Sequence, residues 1–551
     1  MFSLKFDLKM QPNVCTTYDV CILPVFHQMR CTLYLNELGI CVVPNHYSLP
    51  NKMYIHKNLI IGCKKEIILK NKKKQNVCLK MSYFKTRKVN GKKENLKILE
   101  ETNLDILFSS DQEASECMKA MEFFVENAHL SDAKPYLVLI NPKSGSGNAL
   151  NGFNYKVSPI WKQMNVPYEL FCTEYPGHAE NFIINLPKAN LLRYRAIVTC
   201  SGDGLVYEVI NGLISRKDYD DVIEEDTIPI GILPGGSANS TAASICYHSG
   251  LLGKSSLLSH CGFLLTLPIE NIRNKQSQQV NEQNEKYSCT LPVLPRITPV
   301  SCIHFGTYDT NFHRYGIQSI EWGFIADLDY KSERFRWMGE KRFLLYACYY
   351  LMKKPTYRAK LSYLPFDNVL YQKNKYKNDE LVQKSSVSST ECENSSDLTD
   401  KLNESPQQIK KSHQSWSFLP ETNQHISNHQ DKWVTLDKKF VTILVLNHSH
   451  ITSSAVMYPD AHMSDPYLNL LILHENTTRF DLLALGRALS SGQGLQSTSN
   501  MDIVKVCALR IEPYSQDSVT TMLDGELVPS GTFQAEVIPG ILNVISGTKV
   551  V

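Results

Sequence analysis

The chain has 551 residues, 43% of them hydrophobic and 21% charged, with a formal net charge of +3. That length admits more than one domain and that composition fills a substantial core, while so small a charge gives no general attraction for nucleic acid. The 16 cysteines are scattered without a Cys-x-x-Cys pair or a metal-type Cys/His spacing, which excludes a disulfide scaffold and reads as reduced, buried thiols in a reducing compartment.

The first residues, Met1-Phe2-Ser3-Leu4-Lys5-Phe6-Asp7, form neither a signal peptide nor a myristoylation site. No apolar run approaches the ~18 residues of a membrane span. The best run, Phe343 to Met352 between Lys341 and Lys353, reads as a buried helix or the wall of a lipid pocket. A cytoplasmic protein is expected, one that collects any membrane-dissolved substrate from the surface.

Residues 1 to about 130 carry β-type stretches such as Asn58-Leu59-Ile60-Ile61 and a basic region between Lys64 and Lys97, including Lys72-Lys73-Lys74 and Lys85-Thr86-Arg87-Lys88. They end in an amphipathic run, Ala114 to Ala128, with Met118, Met121, Phe124 and Val125 at helical spacing. Strands closed by one helix predict an accessory region over 1–130, pleckstrin-homology-like. Its lysines suit anionic lipid head groups, about 1 kcal/mol each near a membrane, and suit equally a solvated loop between hairpin strands.

From Tyr136 the pattern changes. Three short apolar runs, Tyr136-Leu137-Val138-Leu139-Ile140, Ala196-Ile197-Val198-Thr199-Cys200 and Ile228-Pro229-Ile230-Gly231-Ile232-Leu233, read as buried parallel strands. Each runs into a glycine-rich turn: Asn141-Pro142-Lys143-Ser144-Gly145-Ser146-Gly147, Ser201-Gly202-Asp203-Gly204, and Pro234-Gly235-Gly236-Ser237-Ala238-Asn239. Such turns bring backbone N–H groups close to phosphate oxygens and aim the next helix's positive end at them. None is a P-loop or a dinucleotide fingerprint by itself. Three in series, behind strands and ahead of helices such as the one bearing Leu205, Val209, Ile210 and Leu213, predict a doubly wound α/β domain over 131–262 that handles phosphate.

Beyond it, two segments at about 272–288 and 372–432 are rich in Gln, Asn, Ser and Lys and poor in aliphatics, as disordered insertions are. Around them Arg358–Leu364, Phe440–Leu446, Leu468–Leu473 and Val504–Ile511 read as strands of an antiparallel β-rich domain over 263–551. The histidines of Asn447-His448-Ser449-His450 alternate in direction on a strand, so a structural role is favoured over a metal pair.

The three turns, with Glu208-Val209-Ile210-Asn211-Gly212-Leu213 behind the second, resemble the catalytic domain of the diacylglycerol kinase superfamily. Trp322-Gly323-Phe324-Ile325-Ala326-Asp327-Leu328-Asp329, Ser332-Glu333-Arg334-Phe335-Arg336-Trp337-Met338-Gly339-Glu340-Lys341-Arg342-Phe343 and Asp524-Gly525-Glu526 narrow this to the sphingosine kinases. The resemblance spans roughly Pro135 to Gly547. It implies a three-layer nucleotide domain of the phosphofructokinase and NAD-kinase type, an antiparallel β-sandwich that holds the lipid, and catalysis in the cleft between them. Ala238 departs from the glycine usual in the third turn, and Lys143 is the only cation in the first.

On that resemblance, ATP with Mg²⁺ phosphorylates the primary hydroxyl of a sphingoid base to give sphingosine 1-phosphate. Asp203 is the expected general base, although a carboxylate there also suits a helix cap. The nucleotide falls to Asn141, Pro142, Lys143, Thr173, Ser201, Gly202, Glu208, Gly236, Ser237, Ala238, Arg336, Arg342, Asp524, Gly525 and Glu526. The lipid falls to Asp203, Gly204, Leu205, Phe324, Ile325, Leu328 and Asp329. A carboxylate beside the substrate ammonium discriminates against ceramide and diacylglycerol, the alternative acceptors. Asp327 and Asp329 would share one side of an extended strand; the resemblance favours Asp329. His178 is expected to start a helix. Magnesium often keeps several waters, so its protein ligands would be few.

Overall fold

The computed structural model describes residues 16–23, 29–36, 39–44, 53–56, 59–70, 74–88, 97–108, 110–128, 134–145, 147–219, 228–251, 257–266, 293–307, 312–338, 352–367, 432–492, 494–514 and 519–549. The insertion expected at 272–288 lies outside them, as do most of the one at 372–432 and the apolar run 343–351.

The amino-terminal region is an antiparallel sheet. Its strands, Thr16–Leu23, Met29–Asn36, Gly39–Pro44, Met53–His56, Ile60–Lys70, Lys74–Lys88 and Lys97–Phe108, lie in the order fourth, third, second, first, seventh, sixth, fifth. The helix Asp111–Ala128 comes after the last strand and packs on Ile60–Lys70. Ala114, Cys117 and Met121, at helical spacing, are its buried residues. Lys65 Nζ pins the first turn through Asp111 at 2.6 Å and the Ser115 hydroxyl at 2.8 Å. The region also shares a continuous apolar core with the α/β part of the chain: the Phe84 and Phe263 rings meet edge to face with centroids 4.7 Å apart.

The α/β part is built on four parallel strands in the order Ile230–Pro234, Ala196–Ser201, Tyr136–Ile140, Tyr168–Cys172. Every residue of the first three is buried, which is why they read as unbroken apolar runs and not as alternating ones. Helices His178–Asn185, Asp203–Ile214, Ser240–His248 and Leu257–Leu264 flank the sheet. The last of these spans the expected junction at 262 and lies on the α/β side, where the Trp161 indole N–H donates to the Gly262 carbonyl at 3.1 Å.

The β-rich part contains the expected strands, with longer bounds: Tyr357–Pro365, Val434–Leu446, Leu468–His474 and Met501–Pro513. One face buries Trp322, Phe440 and Phe533. On the other, Val441, Leu444 and Leu471 pack with Leu482 of the helix Arg479–Ser491. The long final strand, Phe533–Lys549, runs antiparallel to Val293–Thr307 and meets Ile230–Pro234 in parallel at Ile230 and Val544. Through that strand the two halves form one hydrogen-bonded sheet, 14-stranded among the described residues.

One local expectation is corrected. Asp327 and Asp329 do not lie on an extended strand. The strand Ser319–Gly323 stops at Gly323, whose φ of +82° favours glycine, and the helix Phe324–Ser332 begins at once. Residues two apart on a helix point to well-separated directions.

Candidate active site

The three glycine turns converge at the carboxyl ends of the parallel strands and pack on one another. A Cβ on Gly145 would come within 2.7 Å of the Gly235 carbonyl oxygen, one on Gly202 within 3.1 Å of Gly236 Cα, and one on Gly236 would fall inside the Gly202 backbone. The Gly202 N–H donates to Ser144 Oγ at 3.0 Å, joining the first turn to the second, and the Gly235 N–H donates to the Ser201 carbonyl at 2.7 Å, joining the second to the third. Asn239, at φ +50°, closes the third turn on itself through two 2.8 Å bonds with Gly236.

Asp203 opens the helix Asp203–Ile214, but its carboxylate does not cap it. Its oxygens accept the N–H groups of Ser240 at 3.1 Å and Thr241 at 3.2 Å, the first turn of the helix after the third glycine turn. The helix dipole there favours a negative charge, and each oxygen keeps a lone pair for a substrate proton. Glu208, one turn on, accepts from the Gly177 N–H at 3.0 Å and the Ala179 N–H at 3.1 Å. It thus fixes the entry to the helix His178–Asn185, which His178 starts as expected. His178 Nδ1 accepts the Glu174 N–H at 3.1 Å.

These turns form one end of a cavity of about 880 Å³. Of the expected site residues, Asn141, Lys143, Thr173, Ser201, Gly202, Asp203, Gly204, Leu205, Glu208, Gly236, Ser237, Ala238, Phe324, Ile325, Leu328, Asp329, Asp524, Gly525 and Glu526 all line it. Pro142 sits in the first turn behind the lining. Arg342 and the side chain of Arg336 lie outside the described residues.

The two carboxylates left unresolved by sequence are separated by the helix. Asp329 faces the cavity. Asp327 is buried: Tyr357 Oη donates to its Oδ2 at 2.8 Å, Thr520 Oγ1 to its Oδ1 at 2.5 Å, and Lys331 Nζ lies at 3.0 Å. Tyr357 and Thr520 hold the helix on the sandwich through Asp327, so Asp329 alone of the pair lines the cavity.

Asp524-Gly525-Glu526 forms the wall between Asp203 and Asp329. Asp524, at φ +52°, is buried and accepts the N–H groups of Ile317 at 2.6 Å, Gln318 at 2.9 Å and Ser319 at 2.9 Å. Burial pushes its carboxyl up to about 7 against the pull of those amides, and the Asp203 charge adds to the rise. Gly525, at φ +80°, lies beside Asp329, and a Cβ on Gly204 would sit 2.8 Å from Glu526 Oε1.

Two cavity features escape sequence reading. Arg314, on the short strand His313–Gly316, adds a cation to Lys143 and lies 3.6 Å from Glu180. Burial raises the Glu180 carboxyl, with Arg314 opposing the rise and Glu208 adding to it. The helix Arg479–Ser491 supplies the apolar far end through Leu482, Leu485 and Leu489. A lone arginine between strands carries no motif, and this helix's leucines look like any core stripe.

Comparison with known proteins finds the same two-part organisation and the same relatives. The family "Diacylglycerol kinase catalytic domain" matches residues 135–261, and "YegS C-terminal NAD kinase beta sandwich-like domain" matches residues 424–546. The chain is 29% identical to "Sphingosine kinase 1" of Mus musculus over 416 residues, 75% of this chain and 91% of that protein. It is 25% identical to "Sphingosine kinase 1" of Caenorhabditis elegans over 426 residues, 75% of this chain and 81% of that one. Among solved structures it is similar to a diacylglycerol kinase from Bacillus anthracis, with 13% identity, a TM-score of 0.42, and coverage of 76% of this chain and 98% of that one.

Proposed function

We infer that this chain, a homologue of the sphingosine kinases carrying a diacylglycerol kinase catalytic domain, is an ATP-dependent kinase of sphingoid bases. The observation that carries the mechanism is that Asp203, at the phosphate turns, and Asp329, beside an apolar compartment, line one cavity. A lipid with a hydroxyl next to an ammonium group fits that pair of carboxylates.

Phosphoryl transfer asks the protein to position two reactants and stabilise charge. The interlocked turns present N–H groups, Lys143 and Ser237 to the nucleotide phosphates, with Arg336 and Arg342 assigned to them by resemblance. Asp329 pairs with the substrate ammonium, and Phe324, Ile325 and Leu328 on the same helix take the first carbons of the tail. The primary hydroxyl then faces Asp203. As its oxygen bonds to the γ-phosphorus and the bond to the ADP oxygen breaks, Asp203 takes the hydroxyl proton. Glu208 and Asp524 position this site through the backbone amides they hold.

Carboxylate oxygens are the donors magnesium prefers, and the cleft offers them at Asp203 and Glu526, which flank Gly204. The ion, carried in by ATP, would neutralise charge on the transferring phosphate.

We read the amino-terminal region as a pleckstrin-homology-like module, a reading supported by its seven-stranded antiparallel sheet and single closing helix. Lys64, Lys80 and Lys85 are exposed on it, and we assign it a role at anionic membrane surfaces. No described helix is long and apolar enough to cross a membrane. We propose a cytoplasmic enzyme with peripheral membrane association, the exposed lysines of the amino-terminal sheet supporting the surface contact.

The test is direct. Purified protein with ATP and Mg²⁺ is offered sphingosine, ceramide and diacylglycerol, and transfer of labelled phosphate is measured. Sphingosine is the expected acceptor, and phosphorylation of ceramide without sphingosine sinks the assignment.

A further inference from the structure

The helix Arg479–Ser491 presents Leu482, Leu485, Gly486 and Leu489 to the cavity, the spacing of one helical face. Three of the four are leucines. The fourth has no side chain, in the interior of a helix where glycine is among the least favourable residues.

Backbone geometry does not explain it. Gly486 is absent from the positive-φ glycines, so any L residue could adopt its conformation. Close packing among the described residues does not explain it either: a Cβ built on Gly486 would meet none of them within 4 Å. Gly204, Gly231 and Gly236 all abut another group. At Gly486 the missing side chain is open cavity, continuous with the apolar lining of Ile325, Leu328 and Leu485.

We propose that Gly486 sets the length of hydrocarbon tail the enzyme accepts: the groove left on the helix is filled by the distal carbons of a long-chain sphingoid base. The inference rests on the sphingoid-base function and names the substrate subclass within it. With the head held between Asp203 and Asp329, a leucine at 486 would make the apolar face continuous and close the groove. Long tails would then be displaced from their pocket, while short tails would end before reaching it. Each methylene forced back into water weakens binding, so a shortfall of two or three carbons changes kcat/KM by roughly tenfold or more.

The experiment compares wild-type, Gly486→Ala and Gly486→Leu proteins on saturated bases of twelve and eighteen carbons. The reading is the ratio of kcat/KM for the long base to that for the short one. Expected is a ratio lowered roughly tenfold or more in Gly486→Leu and by less in Gly486→Ala. Both variants should be at least as thermally stable as wild type, since each residue forms helix better than glycine. The rise in melting temperature on adding each base, without ATP, provides a second reading of the same preference. An unchanged ratio in Gly486→Leu overturns the proposal, whether or not overall activity falls. Should the wild type prefer an uncharged lipid alcohol, the substrate reading fails, and the same ratio taken on that alcohol series still decides the role of Gly486.

Discussion

In the proposed reaction Asp203 and Asp329 divide the chemistry, and their substitutions should fail differently. Asp203→Asn keeps the shape but loses the proton acceptor, so kcat should fall by about 10²–10⁴ with an unchanged far-ultraviolet dichroism spectrum. Asp329→Asn removes a charge-assisted contact of about 1.5–3 kcal/mol, so kcat/KM for sphingosine should drop roughly 10- to 100-fold while the KM for ATP holds. Asp524 contributes through stability. Its carboxyl, at about 7 when folded and 3.8 in its ordinary state, binds its proton more tightly in the native protein. That contribution is complete below pH ~4 and is lost as pH rises toward 7. The melting-temperature difference between wild type and Asp524→Asn should therefore shrink or reverse between pH 4 and 7; a flat difference would show that the carboxyl is not raised. The position of Asp203 among glycines at a strand end is legible in the sequence, while its role as base comes there from the resemblance. The choice between Asp327 and Asp329 is not, since it turns on a strand becoming a helix at Gly323. Nor could sequence show what Glu208 and Asp524 hold, because those amides lie about thirty and two hundred residues away.

At the scale of elements, the glycine turns serve each other as much as a ligand. Sequence reading assigns their glycines to phosphate approach; the structure adds that Gly145, Gly202, Gly235 and Gly236 are contacts between turns. Gly236→Ala should therefore destabilise the protein even without nucleotide, by about 1–3 kcal/mol or more, measured as a lowered denaturation midpoint. Three of the four parallel strands are readable from their apolar runs, because burial on both faces leaves no ambiguity of period; Tyr168–Cys172, which is not fully buried, is not. Helix Arg479–Ser491 is harder to see, although Thr478 and Asp481 form a capping box with bonds of 3.1 and 2.7 Å at its start. Its leucines form a stripe like that of any core helix, so nothing in them points to a cavity. Removing the cap in Thr478→Ala should cost about 1 kcal/mol, and hydrogen exchange should quicken in this helix first.

Across the whole molecule, the amino-terminal region is less separable than its composition suggests. Its distinct lysine content marks it as an accessory, but Phe84 on Phe263 and the shared core bind it to the catalytic layers. Deleting residues 1–130 should leave an apolar face uncovered, seen as lost solubility and dye binding, where an independent module would detach without harm. The last strand carries a different consequence. Phe533–Lys549 closes the sheet beside Ile230–Pro234 and completes the pairing of Val293–Thr307, yet it comes after both of them in the chain. Until it arrives, the nucleotide half has an open sheet edge and the lipid half lacks a central strand. Synthesis from the amino terminus cannot finish the first half before the second, so the growing chain depends on shielding of that edge until this strand is made.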